Sequence, residues 1–373
     1  MDHEIVKLKE IADFNKESMG KNSNYEFINY LDTANITNGA IDTIVRMPVE
    51  EAPSRAKRIV HNNDIIYSTV RPNLCHYGII DSPVENMIVS TGFTVISCKD
   101  GINPYYVYNY LTQNDITSQL HSIAENSTSA YPSIRPSDLE SIEINLPRLE
   151  IQNKIAKILT DIDRKTKLNN EINNNLYEIS KQLLLKYLDE NKSSDEINIS
   201  KFLNIFTGKK NANETSPTGK YKFFSCAPES LLSDTYLCDS AAIIVAGNGA
   251  YTGRTRFYDG KFELYQRTYG LTLKDGFEKN NIYGLYVFMK TIFEQDKMGG
   301  THGSAIPYIV LSDLTDYKLR YNKVEFDKFS NLVSGNIKMI QENEKSNEKL
   351  SKLRDTLLPK LMNGEIDLNN IEI

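Results

Sequence analysis

The 373-residue sequence has no tryptophan, only four cysteines, and no excess of positive charge. Cys75, Cys98, Cys226 and Cys238 are scattered without a Cys-x-x-Cys pair, which excludes a zinc knuckle and a dithiol redox site. Four reduced structural thiols are the expectation. His3, His61, His76, His121 and His302 are isolated, so no His-Glu-x-x-His zinc site is written and no metal is expected. A Walker A sequence is missing as well. The pair Gly247-x-Gly249 follows a strand-like run, but a lone Gly-x-Gly reads as a turn rather than a nucleotide site. The longest apolar stretch, near 241–246, is far short of the roughly 20 residues of a membrane span. Because the acidic start Met1-Asp2-His3-Glu4 is also unlike a secretory leader, a cytoplasmic protein is expected. With 43 Lys+Arg against 49 Asp+Glu, the net charge of −6 argues against a partner held by bulk attraction alone.

What is present is enough apolar residue, 40%, to bury cores, and a length that suits two or three units of ordinary size. An internal repeat accounts for that length. The run from Ser129-Ala130-Tyr131-Pro132 to Ser137-Asp138-Leu139 returns from Ser304-Ala305-Ile306-Pro307 to Ser312-Asp313-Leu314, at a shift of 175. Upstream, Ile65-Ile66, Thr94, Tyr105 and Tyr108 match Ile243-Ile244, Thr272, Tyr283 and Tyr286 at a shift of 178. Downstream, Leu176, Ile179, Leu183 and Leu184 match Leu350, Leu353, Leu357 and Leu358 at 174. Each copy is read as an α+β domain followed by a long helix. Strands are expected over residues 64–70, 93–97, 242–246 and 269–273, where β-branched and aromatic residues cluster. One helix is expected from Tyr105 to Leu120, and another from Tyr283 to Phe293.

The long helices carry a heptad-like seam. In the first it runs through Ile151, Ile155, Ile158 and Ile162, then Lys165 and Asn169, then Ile172, Leu176, Ile179 and Leu183. In the second it runs through Phe326, Ser330, Val333, Ile337, Ile340 and Glu344, then Leu350, Leu353 and Leu357. Both seams turn polar at the centre, a pattern that can fix register. Apolar residues off these seams, namely Leu149, Leu159, Leu168, Leu184, Phe329, Leu332 and Leu358, point to further helices from a partner. A short helical arm is expected to close the chain near Leu361.

These features resemble the specificity subunit of type I restriction-modification enzymes over essentially the whole chain. The likeness is carried by residues 63–72 (Asn63-Asp64-Ile65-Ile66-Tyr67-Ser68-Thr69-Val70-Arg71-Pro72) and by the Pro-x-Ile-x-x-Ser-Asp-Leu block of both copies. The most specific signal is Leu146-Pro147-Arg148-Leu149-Glu150-Ile151-Gln152-Asn153-Lys154-Ile155-Ala156, similar to the central conserved helix of that family. Residues 247–254 are similar to a glycine-containing turn of its recognition domains. The resemblance implies two tandem α/β target-recognition domains separated by a long antiparallel coiled-coil helix pair with pseudo-two-fold symmetry. The expected boundaries are 1–147 for the first recognition domain, 148–190 for the central helix, 191–321 for the second domain, and 322–373 for the C-terminal helix and arm.

It further implies sequence-specific binding of double-stranded DNA at a bipartite asymmetric site. The helices would dock two methyltransferase subunits that carry S-adenosylmethionine and methylate adenine N6, and restriction/translocase subunits can join them. No catalytic residue is assigned in this chain. The Asn/Asp-Pro-Pro-aromatic run that holds a flipped adenine is missing, and Asn103-Pro104-Tyr105-Tyr106 reads instead as a helix start. DNA contact requires basic side chains for phosphates and Arg, Lys, Asn or hydroxyl groups for base edges. The candidates in copy one are Arg55, Lys57, Arg58, Arg71, Asn73, Tyr131, Ser133 and Arg135. In copy two they are Lys209, Lys210, Arg254, Arg256, Thr301, His302, Ser304 and Tyr308. The partner and helix interface is assigned to the apolar members of the two seams. A reading of a different class is a tandem-domain scaffold that binds proteins and oligomerises through its helices.

Overall fold

The computed structural model of the chain describes residues 4–20, 24–126, 131–295 and 307–369, and the repeat is written in its hydrogen bonding. The chain divides into two compact units, Met1–Thr166 with Glu348–Ile373, and Lys167–Asn347. In the first unit an antiparallel sheet runs Ala12–Phe14, Phe93–Cys98, Ile65–Ser68, Tyr77–Ile79. In the second, the same order opens a larger sheet: Leu203–Thr207, Thr268–Leu273, Cys238–Ala246, Thr255–Leu264, then Tyr221–Phe224 and Leu231–Ser233. A two-stranded ribbon joins Glu4–Lys7 to Glu143–Leu146 in one unit and Glu196–Asn198 to Lys318–Arg320 in the other.

The central strand is apolar on both faces because it separates two cores. Ile65 and Tyr67 enter one cluster and Ile66 another; Ile243 and Val245 enter one, Ala242 and Ile244 another. The first unit adds a second four-stranded sheet, Val45–Pro48, Phe27–Leu31, Met87–Ser90, Ala56–Ile59. The second unit extends its main sheet instead, through the parallel strand Tyr221–Phe224.

The helix that packs under the first sheet is shorter than expected. Asn103 caps it by accepting from the N–H groups of Tyr105 and Tyr106, Pro104 occupies its first turn, and it ends at Leu111. A second helix, Asn114–Glu125, follows after Gln113 takes an extended conformation. The break falls in Thr112-Gln113-Asn114-Asp115, where Thr, Asn and Asp compete with the helical backbone for hydrogen bonds. Its counterpart, Asn281–Gln295, is continuous. There Gly284 permits close packing, since a Cβ would meet the Ser330 hydroxyl at 2.3 Å.

Two long helices, Leu149–Glu190 and Lys323–Met362, each contribute to both units. The heptad step holds from Ile151 to Ile162 and then fails. Lys165, Ile172 and Ile179 are exposed, whereas Asn169, Tyr177, Ser180, Leu184, Tyr187 and Asn191 are buried. Buried or half-buried positions recur every eleven residues, as in Ile151, Ile162, Asn173 and Leu184. That period of 3.67 residues per turn lies close to an unsupercoiled helix, whereas a strict heptad would demand left-handed winding and a buried Lys165. In the second helix Phe326, Ser330, Val333 and Ile337 are buried as the seam predicts. Glu344 and Leu353 are exposed, and Leu358 and Leu361 are buried. The closing arm is not a separate element, because the helix continues past Pro359 to Met362.

Polar side chains set the pairing of the helices. In the second unit Asn169 donates to Asn347 at 2.7 Å, Asn343 to Asn173 at 2.8 Å and Asn336 to the Ser180 hydroxyl at 3.1 Å. Numbers rise on one helix as they fall on the other, so the pair is antiparallel. In the first unit Arg354 lies 2.9 Å from Asp163 and donates to Asn109 at 3.2 Å. Of the off-seam residues, Leu159, Leu184, Phe329 and Leu358 are buried in the chain's own cores, whereas Leu149, Leu168 and Leu332 are exposed. Among the described residues, no helix is long and apolar enough to cross a membrane.

Candidate nucleic-acid interface

In each unit the repeated Pro-containing loop is stitched to the end of the central strand by the same backbone bonds. The Arg71 N–H donates to the Pro132 carbonyl at 2.9 Å, and the Ile134 N–H to the Thr69 carbonyl at 2.8 Å. Their counterparts are Gly249 to Pro307 at 3.0 Å and Ile309 to Gly247 at 2.8 Å. An isolated antiparallel bridge sits between them in both copies, Val70 with Ser133 and Asn248 with Tyr308. The loop is anchored below by buried Ile134 and Leu139, or Ile309 and Leu314. A short helix follows, opened by an aspartate that accepts from a backbone N–H three residues back: Asp138 from Arg135 at 2.7 Å and Asp313 from Val310 at 2.9 Å. Two chain segments about 60 residues apart are thus held side by side, with polar side chains at their junction.

Arg71 occupies that junction in copy one. It is exposed, its guanidinium lies over the Tyr131 ring at 5.6 Å, and its backbone is left-handed, with φ 48°. Under the 178-residue shift its equivalent is Gly249, with φ 83°. A glycine suits that conformation at no steric cost, whereas an L-residue there carries about 1–2 kcal/mol of strain. Ser133, Arg135 and Asn73 lie in the same loops. In copy two Tyr308 bridges Asn248, and Arg254 lies over the Tyr251 ring at 4.3 Å. Thr301, His302 and Ser304 lie outside the described residues.

The remaining candidates are placed differently. Arg55 pairs with Asp32 at 2.5 Å, away from the loop junction in sequence and sheet. Arg58 donates to the Ser18 hydroxyl at 3.3 Å, and burial pulls its guanidinium below the usual arginine range. Lys57 is half-buried on the same strand, and Lys209 is exposed. Arg256 is bonded to the Ala227 carbonyl and lies 5.7 Å from the Phe224 ring centre; burial first, then Arg254, lowers its pKa. Lys210 is turned inward, donating to Ser233 at 2.9 Å and Thr235 at 2.7 Å, with buried Glu263 at 3.7 Å. Lys210→Ala is therefore expected to cost about 1–3 kcal/mol of stability, because it leaves a buried carboxylate without its cation, held by the Thr235 hydroxyl and the Leu264 N–H. Urea denaturation checks this, and an unchanged midpoint would return Lys210 to the surface set.

Two residues of the junction were not singled out from the sequence, Asn248 and Tyr251. Asn248 accepts from the Cys226 thiol at 3.1 Å besides forming the bridge. The signal for both is the shift of 178, which pairs Asn248 with Val70 and Tyr251 with Asn73. The seam residues divide by burial. Ile151, Ile155, Ile162, Phe326, Val333 and Ile337 are buried, and Ile158, Leu176, Leu183, Ile340, Leu350 and Leu357 are half-buried. Ile172, Ile179 and Leu353 are exposed, at 40%, 52% and 46%.

Comparison with known proteins meets this geometry from another side. Residues 1–178 match the family model of the type I restriction modification DNA specificity domain. The HindI type I restriction enzyme specificity subunit of Haemophilus influenzae is 31% identical over 160 residues, 43% of this chain and 35% of that protein. The EcoDI specificity subunit of Escherichia coli is 28% identical over 178 residues, 46% of this chain and 38% of that protein. The chain thus spans little more than a third of the length of these curated relatives. Among solved structures, the S subunit of a type I restriction-modification system from M. genitalium superposes with a TM-score of 0.61 at 17% identity, over 99% of this chain and 97% of that one. At that identity the likeness is one of fold. Residues 1–178 thus match the model of the type I restriction modification DNA specificity domain, and the whole chain shares its fold with the S subunit from M. genitalium.

Proposed function

We propose that the chain is the non-catalytic DNA-specificity subunit of a cytoplasmic type I restriction-modification complex, reading a bipartite asymmetric site with one half-site per unit. The observation that carries this is the twin junction: the same backbone bonds hold the same loop against the same strand end in both units. Repeated scaffolding with different side chains, Arg71 and Tyr131 in one and Tyr251 and Arg254 in the other, suits a reader of two different half-sites. The long helices dock two methyltransferase subunits, which bring S-adenosylmethionine and transfer its methyl group to adenine N6. Restriction subunits join that assembly. Docking is supported by apolar side chains left exposed on the helices of the second unit, Leu168, Ile172, Ile179, Leu332 and Met339.

Duplex binding by the chain with its methyltransferase partner, measured against salt, tests the reading. Displaced phosphate counterions should give a log–log slope of about −0.9 per contact. A flat response would instead support the protein-binding scaffold. The net charge of −6 implies weak binding by the chain alone, with partner subunits supplying much of the positive surface. Lengthening both long helices together by eleven residues, one period of the burial pattern, is expected to lengthen the gap between the half-sites in the methylated motif. An unchanged gap would separate spacing from these helices.

A further inference from the structure

We infer that each unit reads a guanine in its half-site through an arginine placed over a tyrosine ring: Arg71 over Tyr131 in the first unit, Arg254 over Tyr251 in the second. This rests on the DNA-reading function proposed above and names the base that the same junctions select. The pairs are the two guanidinium–tyrosine contacts at the twin junctions, with centroid distances of 5.6 and 4.3 Å. They are built independently, since Tyr131 belongs to the Pro-containing loop and Tyr251 to the turn after the central strand.

The chemistry of the pair favours a base over a phosphate. A phosphate can be met by any mobile cation, and a lysine serves as well. A guanidinium attracted to a ring face is restrained by that contact while its planar fork of donors stays available. That flat fork matches the O6 and N7 acceptors of guanine in the major groove, the commonest specific arginine contact. Both tyrosines are exposed, Tyr131 at 64% and Tyr251 at 44%, so each pair stands at the surface. The backbone of Arg71 adds an independent argument. The residue keeps a long side chain where the twin copy has glycine at the same left-handed position. Strain of that kind persists where the side chain is needed.

Two other candidate arginines have partners within the chain. Arg256 is committed to the Ala227 carbonyl, and Arg55 to Asp32. Arg254 therefore stands as the reader of its turn, with Arg256 held by the Ala227 carbonyl.

The test uses the full chain in complex with its methyltransferase partner. Its methylated motif is first read by single-molecule sequencing, and a guanine is expected in each half-site. Duplexes carrying 7-deazaguanine, which lacks the N7 acceptor, are then titrated. Replacing the contacted guanine should weaken binding by the native complex about tenfold or more. Arg71→Gln should abolish that sensitivity in one half-site only, and Arg254→Gln in the other only. A motif that depends on the chain but lacks guanine in either half overturns the inference alone. So does a 7-deazaguanine penalty that persists in both variants. A methylation pattern indifferent to the chain overturns the DNA-reading function and this inference with it.

Discussion

Arg71→Gly is expected to leave the melting temperature within a few degrees of the native chain while recognition of one half-site falls roughly 10–100-fold. The two effects separate because the position makes opposite demands on backbone and side chain. At φ 48° an L-residue is strained by about 1–2 kcal/mol, which glycine releases. Glycine in turn loses about 0.5–1 kcal/mol more chain entropy on folding, and the contact with Tyr131 disappears. These terms nearly cancel. The Arg71 N–H still donates to the Pro132 carbonyl after substitution, so the loop junction survives. What is lost is the guanidinium. The converse change, Gly249→Ala, meets open space around its Cβ and should cost only the backbone strain. Thermal melts and motif analysis check the pair. If Arg71→Gly unfolds the first unit, Arg71 is a structural residue; if it methylates the native motif at the native rate, Arg71 is only surface.

Phe326→Ala should destabilise the second unit by about 3–5 kcal/mol, the largest loss expected from any single truncation discussed. Its ring is fully buried and lies 5.5 Å from Tyr187, 5.7 Å from Tyr321, 5.8 Å from Phe329 and 6.3 Å from Phe202. Those rings come from both long helices and from the strand region of the second unit. Removing Phe326 leaves a cavity walled by stiff aromatic side chains, which relax little. Hydrogen exchange resolves the effect by unit. Amides of Cys238–Ala246 should lose protection, and those of Ile65–Ser68 should keep it. Equal loss in both strands would mean that the units do not unfold separately.

The repeat was legible because backbone constraints at the loop junction tolerate few residues. Pro132 and Pro307, Ile134 and Ile309, and Asp138 and Asp313 each serve the same bond or contact, and they recur at one shift. The central strands were legible for the same reason, since a strand buried on both faces must be apolar throughout. The seam of the long helices misled beyond Ile162. Apolar residues at Ile172 and Ile179 keep heptad spacing, but in this chain they stay exposed, and the buried face combines the seam residue Asn169 with Tyr177 and Ser180 from outside the seam. Hydropathy cannot distinguish a face that packs within the chain from one kept apolar for another reason. The candidate site was only partly legible. Charge identified Arg71 and Arg254 but equally Lys210 and Arg55, which the fold commits to Glu263 and Asp32. Such commitments depend on strands distant in sequence and leave no local mark.

The central claim is that this chain chooses the DNA sequence that is methylated. Single-molecule sequencing of genomic DNA from cells carrying the gene, from cells lacking it, and from cells in which the Arg71→Gln chain replaces it tests that claim most directly. One two-part N6-methyladenine motif should vanish on deletion, and half of that motif should change or relax in the variant. A motif that survives deletion of the gene unaltered would contradict the account.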